Sequence, residues 1–273
     1  MRSVLFAGAT RPDLVAKIGR SGPDAAIVDL EDAVPDDSKE EARAALPELI
    51  ASVADVPRRF VRVNAPRSEW FRDDVDAVAQ IAGVAGVVVP KAEEVADLVW
   101  ARDALPDGSQ IFAGLESARG VAECERLLAE AAPEVAYFGA EDYVADLGGR
   151  RSAGGEEVLY ARSRVALAAR LAGVAAIDQV VVDFRDDAAF ERDAALGRDL
   201  GYRGKLCIPP AQVPLANAAF GASEEEVARA RELLAAWEAG AARGIAAVEF
   251  EGAMVDGPAL RMARETIERG GGS

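Results

Sequence analysis

The runs IFAGLESARG (111–120) and VAYFGAED (135–142) share one pattern, a short apolar segment that ends in carboxylates. Glu116 closes the first run, and Glu141 with Asp142 closes the second. A carboxylate at the mouth of a buried strand is costly to desolvate unless a cation answers it. Acids recur after other apolar runs: Asp29, Glu31 and Asp32 in VDLEDAV, and Asp183 in VVVDF. Two cations stand among them, Arg62 in VRVN (with Asn64 beside it) and Lys91 in VPKAE. Crowded carboxylates raise one another's pKa until a cation relieves them. Two arrangements meet that need. One is a divalent ion held by oxygen donors; the other is a salt-bridged rim with Arg62 and Lys91 as structural partners. In the first, Glu116 and Asp142 are the candidate metal ligands, because neighbouring strands lie about 4.8 Å apart and their carboxylates can share one octahedral ion. Glu31 and Asp32 read as supporting or helix-start acids.

No histidine occurs in the chain. That excludes Ser-His-Asp hydrolysis, His-ligated zinc and any imidazole base, and leaves acid–base work to Asp, Glu, Lys, Tyr or Cys. Oxygen donors without His or paired Cys select Mg2+, or Mn2+ as a substitute. The two cysteines, Cys124 and Cys207, lack metal-ligand spacing and read as ordinary buried thiols. A formal charge of −16 argues against nucleic-acid binding. No apolar run is long enough to span a membrane, and MRSVLFAGATRPDLV reads as a first buried strand rather than a signal peptide. A soluble, cytoplasmic protein is expected.

These acids need elements to position them. Apolar runs at 4–7, 25–30, 60–63, 84–89, 111–115, 135–138, 177–182 and 205–208 alternate with amphipathic segments at 12–18, 38–53, 69–81, 93–104, 119–131, 156–172 and 186–200. Continuous apolar strands alternating with helices imply an α/β fold with a parallel sheet covered on both faces. Eight such units predict a TIM (β/α)8 barrel over residues 1–220, with every acid listed above on its C-terminal rim. A doubly wound open sheet is the competitor, but GATRP is not its glycine-rich first turn. Residues 221–273 form a C-terminal helical extension: a helix over 223–239 with Ser223 and Glu226 as a capping box, then a helix over 258–269 opened by Pro258, and a GGGS tail expected to fray. Read by position alone, Asp256 is an acid at the start of that last helix.

Six motifs, VDLEDAV (28–34), RVN (62–64), VPKAE (89–93), GLESARG (114–120), GAEDY (139–143) and FEGAMVDGP (250–258), occur in this order. Together they resemble the citrate lyase beta-subunit-like family, which includes malyl-CoA and citramalyl-CoA lyases, over nearly the whole chain. The resemblance implies a TIM barrel with a C-terminal extension. It also implies Mg2+-dependent, reversible cleavage of a 3-hydroxy-carboxyacyl-CoA thioester (malyl-CoA, citramalyl-CoA or a citryl thioester) into acetyl thioester and a keto acid. Glu116 and Asp142 fall on the family's metal ligands, and Arg62 on the arginine that meets the keto-acid or thioester oxygen. Ala140 and Glu141 would offer backbone N–H groups to a substrate carboxylate, Asp256 would be the acid–base group, and Arg11 and Lys17 would approach CoA phosphates. A homotrimer or homohexamer is implied, with the extension completing an active site of a neighbouring subunit. One departure stands out. Where many relatives carry Ile-His-Pro-Ser-Gln, this chain has Ile208-Pro209-Pro210-Ala211-Gln212. The rival readings are an aldolase acting on free keto acids, which would ordinarily need the missing histidine, a non-catalytic CoA- or keto-acid-binding subunit, and malate synthase or thioesterase activity from the same site.

Overall fold

The computed structural model describes residues 1–242 and 248–270; positions 271–273 of the GGGS tail lie outside the described residues. Eight parallel strands close into a barrel in sequence order: β1 (Ser3–Gly8), β2 (Ala25–Asp29), β3 (Arg59–Arg62), β4 (Gly86–Val89), β5 (Gln110–Leu115), β6 (Val135–Phe138), β7 (Ala175–Asp178) and β8 (Gly204–Cys207). Closure is made by β1 on β8, in the register Ser3↔Lys205 to Leu5↔Cys207. Every residue of β2, β4, β6 and β8 is buried, as strands covered on both faces require. The interior is filled by side chains such as Ile27, Phe60, Val88, Phe112 and Tyr137. Phe112 meets Phe60 and Tyr137 edge-on, with ring centroids 5.9 and 5.6 Å apart. The barrel is therefore a packed core, and its chemistry belongs to its rim.

The helices of this unit are α1 (Pro12–Val15), α2 (Lys39–Ala44), α3 (Leu46–Ser52), α4 (Phe71–Ala79), α5 (Val95–Ala104), α6 (Ala118–Ala122), α7 (Cys124–Ala131), α8 (Ala140–Asp146), α9 (Glu156–Ala172) and α10 (Asp187–Leu200). The segment expected as one helix over 38–53 breaks in two where Pro47 takes the first turn of α3. The one expected over 119–131 breaks into α6 and α7. Both cysteines are buried and free.

Strand seven corrects the sequence reading. It spans Ala175–Asp178, not 177–182, so Asp183 lies in an exposed loop well past the strand end. Just past the strand end, Gln179 O accepts from a side chain: Lys205 Nζ donates to it at 2.8 Å. The residue the strand does deliver is Asp178, fully buried in an ion cluster. Arg162 of α9 donates to it through Nε (2.8 Å) and Nη2 (2.6 Å), and Lys205 of β8 through Nζ (2.7 Å). Asp193 of α10 completes the cluster, 2.9 Å from Arg162 Nη1 and 2.5 Å from Lys205 Nζ. Two cations and two anions so fasten α9 and α10 to the inner strands.

The chain divides into two compact units, Met1–Asn217 and Ala218–Ser273, within the helix α11 (Gln212–Phe220). In the second unit α12 (Glu224–Ala241) opens with the expected capping box: Ser223 Oγ accepts from Glu226 N at 3.1 Å, and Glu226 Oε2 from Ser223 N at 2.8 Å. The hairpin β9 (Val248–Phe250) and β10 (Ala253–Val255) turns at Glu251 and Gly252, both at positive φ, as a two-residue hairpin turn demands. The last helix, α13 (Gly257–Gly270), packs on α12. Among the described residues no helix is long and apolar enough to cross a membrane.

Candidate active site

Strand ends β1 to β3, β5 and β6 converge on one cavity of about 460 Å3. Its lining includes Phe6, Asp29, Asp32, Arg62, Glu116, Tyr137, Gly139, Ala140, Glu141 and Asp142. Seven of the residues singled out from the sequence, Asp29, Asp32, Arg62, Glu116, Ala140, Glu141 and Asp142, are thus brought to the first unit's rim.

Arg62 ends β3 and is held from two sides. Its Nε and Nη2 each lie 2.7 Å from an oxygen of Asp29, the last residue of β2, and Nη1 lies 3.0 Å from Glu31 Oε2. The guanidinium also stands over Phe6, 5.2 Å from the ring centre. Burial works against its charge, but Asp29 and Glu31 outweigh burial and keep Arg62 protonated well above the ordinary range. Glu31 is itself buried between Arg62 and Lys91, whose Nζ is 2.7 Å away, and burial raises its carboxyl despite them. Its carboxylate thus bridges the rim's two cations.

Glu116 follows β5 and is almost wholly buried. Its Oε1 accepts from Lys91 N at 2.8 Å and from Tyr137 Oη at 2.9 Å. Both bonds fall on one oxygen, and Oε2 lies beside Gly139, where an added Cβ would stand 2.3 Å from it. Gly139 is thus glycine for lack of room. Burial, then the charge of Glu31, and more weakly that of Asp142, push the Glu116 carboxyl up to about 8. Asp142, in the first turn of α8, is partly exposed, with Oδ1 3.6 Å from Lys91 Nζ.

This up-shift predicts a pH-dependent stability. Folded Glu116 keeps its proton to about pH 8, whereas an unfolded glutamate loses it near 4.5. Across that window the folded chain binds one proton more, so its stability is greatest below the lower value and falls as pH rises to the upper one. Thermal unfolding from pH 5 to 8 in chelator should show that decline in the native protein and a flatter profile in Glu116→Gln. Parallel profiles would refute the assignment.

The donor set fits a divalent cation. Among the described residues, Asp29, Glu31, Asp32, Glu116 and Asp142 gather about two cations, Arg62 and Lys91, and Gly139 leaves space beside Oε2 of Glu116. Among the described residues no group of three or more acids or cysteines forms a ready cage. A two-carboxylate site suits an ion that keeps water and substrate oxygens, which is the habit of Mg2+.

Ala140 and Glu141 are the first residues of α8, so their N–H groups have no intrahelical partner. The Glu141 carboxylate is engaged by Arg151 Nε at 2.8 Å. Arg11 and Lys17 do not line the cavity; both are exposed, and both turn to Asp13, at 3.0 and 3.8 Å. Asp256 lies in the second unit at the start of α13, where its Oδ1 accepts from Ala259 N at 3.5 Å.

Two supports escaped the sequence reading. Tyr137 was hidden in an apolar run, although a buried tyrosine hydroxyl needs a partner, and here it orients Glu116. Lys39, buried on α2, donates to Leu30 O (2.8 Å), Glu31 O (2.7 Å) and Asn64 Oδ1 (2.6 Å) and so fixes the acidic turn. A lysine on the otherwise apolar face of that helix was the available signal.

A closed eight-stranded barrel with an acidic rim around a fixed arginine defines the class: a TIM-barrel protein equipped for chemistry on anionic oxygen ligands. The HpcH/HpaI aldolase/citrate lyase family model matches residues 2–210, and the chain belongs to that family. It is 51% identical to a citrate lyase subunit beta-like protein of Deinococcus radiodurans, over 98% of this chain and 96% of that one. It is 30% identical to human mitochondrial citramalyl-CoA lyase, over 97% and 84%. Its fold superposes with a TM-score of 0.81, at 32% identity and over 99% and 100% of the chains, on the protein CitE of Mycobacterium tuberculosis solved in complex with magnesium, acetoacetate and coenzyme A.

Proposed function

We propose that this chain is a Mg2+-dependent carbon–carbon lyase that reversibly cleaves a 3-hydroxy-carboxyacyl-CoA thioester, such as malyl-CoA, citramalyl-CoA or a citryl thioester, into acetyl thioester and a keto acid. One observation carries the reading: Glu116 and Asp142, from successive strand ends, meet the doubly anchored Arg62 in a single cavity. Its volume suits a keto acid with the reacting end of a thioester.

Glu116 and Asp142 would hold the metal, whose contribution is Lewis acidity toward the substrate's hydroxyl and carboxylate oxygens. Tyr137 and the Lys91 amide keep Glu116 oriented, with Oε2 toward the open space beside Gly139. Arg62 cannot swing away from Asp29, so it presents a fixed positive charge to the thioester oxygen as enolate charge develops there. The N–H groups of Ala140 and Glu141 bind the substrate carboxylate. Asp256 exchanges the proton at the enolate carbon, and Arg11 and Lys17 meet CoA phosphates. The enzyme is assigned to the cytoplasm and to a homotrimer or homohexamer in which the extension serves a neighbouring copy.

The test is a panel of malyl-, citramalyl- and citryl-CoA assayed with Mg2+ and with chelator. Metal-dependent release of both acetyl-CoA and a keto acid is expected from at least one substrate. Release of free CoA without keto acid would assign a thioesterase in its place, and binding without turnover an accessory subunit.

A further inference from the structure

Lys91 engages both proposed metal ligands. Its backbone is left-handed, at φ 48°, a region that L residues other than glycine enter at a steric penalty and that clusters at functional sites. That conformation lets its amide donate to Glu116 Oε1 at 2.8 Å while its side chain turns to the acids of the opposite rim. There the ammonium is shared, 2.7 Å from Glu31 Oε1, 3.5 Å from Asp32 Oδ1 and 3.6 Å from Asp142 Oδ1.

We propose that Lys91 is a built-in counter-cation that competes with the divalent ion for Asp142 and so sets how tightly the metal binds before substrate arrives. The inference rests on the assignment of Glu116 and Asp142 as metal ligands. Two cations cannot share Asp142 at close range in a half-buried site without strong repulsion. The geometry offers Lys91 an alternative seat, because Glu31 holds it closer than Asp142 does. Metal entry therefore shifts the ammonium toward Glu31 and Asp32 rather than expelling it, and the work of that shift is subtracted from metal affinity. Arg62 does not play this part, since Asp29 holds its Nε and Nη2 and Glu31 its Nη1.

The test is Mn2+ binding to the full chain without substrate, read by the loss of free-ion paramagnetic resonance signal. Lys91→Met is expected to bind Mn2+ at least tenfold more tightly than the native protein, and Lys91→Arg, which keeps the charge, no more tightly. Lys91→Gln retains a donor for Glu31 and gives the same reading should Lys91→Met fail to fold. Native binding that Glu116→Gln abolishes, with an unchanged or weaker constant in both neutral variants, overturns the competition alone. A native chain that takes up no Mn2+, or takes it up equally well in Glu116→Gln, overturns the ligand assignment and the competition with it.

Discussion

Asp142→Ala is expected to lower metal-dependent kcat/KM toward the best CoA thioester by about a thousandfold or more, the scale on which a Lewis acid and its charge stabilisation act. Asp142 is the choice residue because its loss is chemically narrow. Its side chain is partly exposed and its nearest cation, Lys91, keeps Glu31 at 2.7 Å and Asp32 at 3.5 Å. No buried charge is stranded, so the barrel should melt within about 1 kcal/mol of the native protein, as surface changes do. The same substitution at Glu116 would be harder to read, because Tyr137 would lose its buried partner. Circular dichroism with a titration of Mn2+ checks the fold and the metal, and a coupled keto-acid assay checks the chemistry. Turnover that survives in a folded Asp142→Ala enzyme would remove the metal from the mechanism.

The second large effect is on stability, at residues that do not line the cavity. Asp178→Asn should destabilise the barrel by about 3–5 kcal/mol, the usual result of stripping one partner from a buried ionic cluster. Asp178 is fully buried and answers both Arg162 and Lys205; after the change only Asp193 remains to face two cations. An asparagine offers one acceptor oxygen in place of two, carries no charge, and its NH2 group would donate toward cations. The sharper form of the test is a cycle with Lys205→Met. Removing one anion and one cation together restores the balance, so the double variant should be more stable than the sum of the single losses allows. Urea denaturation at fixed pH measures all three. Additive losses would mean that the cluster acts by packing alone.

The barrel was legible because the sequence repeats one physical problem eight times, an apolar strand covered on both faces followed by an amphipathic helix. Glu116, Arg62, Lys91 and Asp142 could be placed on a rim from the chain alone, since each directly follows or ends an apolar run. Asp183 misled for the same reason. Residues 180–182 extend the apolar pattern past the true strand end, which the ladder places at Asp178. Partnerships between distant residues were not legible at all. Nothing in the spacing shows that Asp29 clamps Arg62, that Lys39 ties the acidic turn to Asn64, or that Arg162, Asp178, Asp193 and Lys205 form one cluster, because these depend on register and helix rotation.

Gly139 has a consequence for how the molecule can change over generations. Its missing side chain is the space beside Glu116, and Gly114, where a Cβ would lie 2.4 Å from Tyr137 Oη, is likewise the space for the tyrosine that orients that acid. Neither position admits even a methyl group without displacing a group that the site uses. The part of the rim that holds Glu116 is therefore closed to gradual variation. Ile208, which lines the same cavity, is exposed, as are Val182 and Phe184 in the loop after β7. Mutational drift that leaves the enzyme alive is channelled to positions such as Ile208, where the side chain is exposed and a change displaces no group that orients Glu116. New substrate preferences would arise there first, beside an unchanging Glu116 and Tyr137.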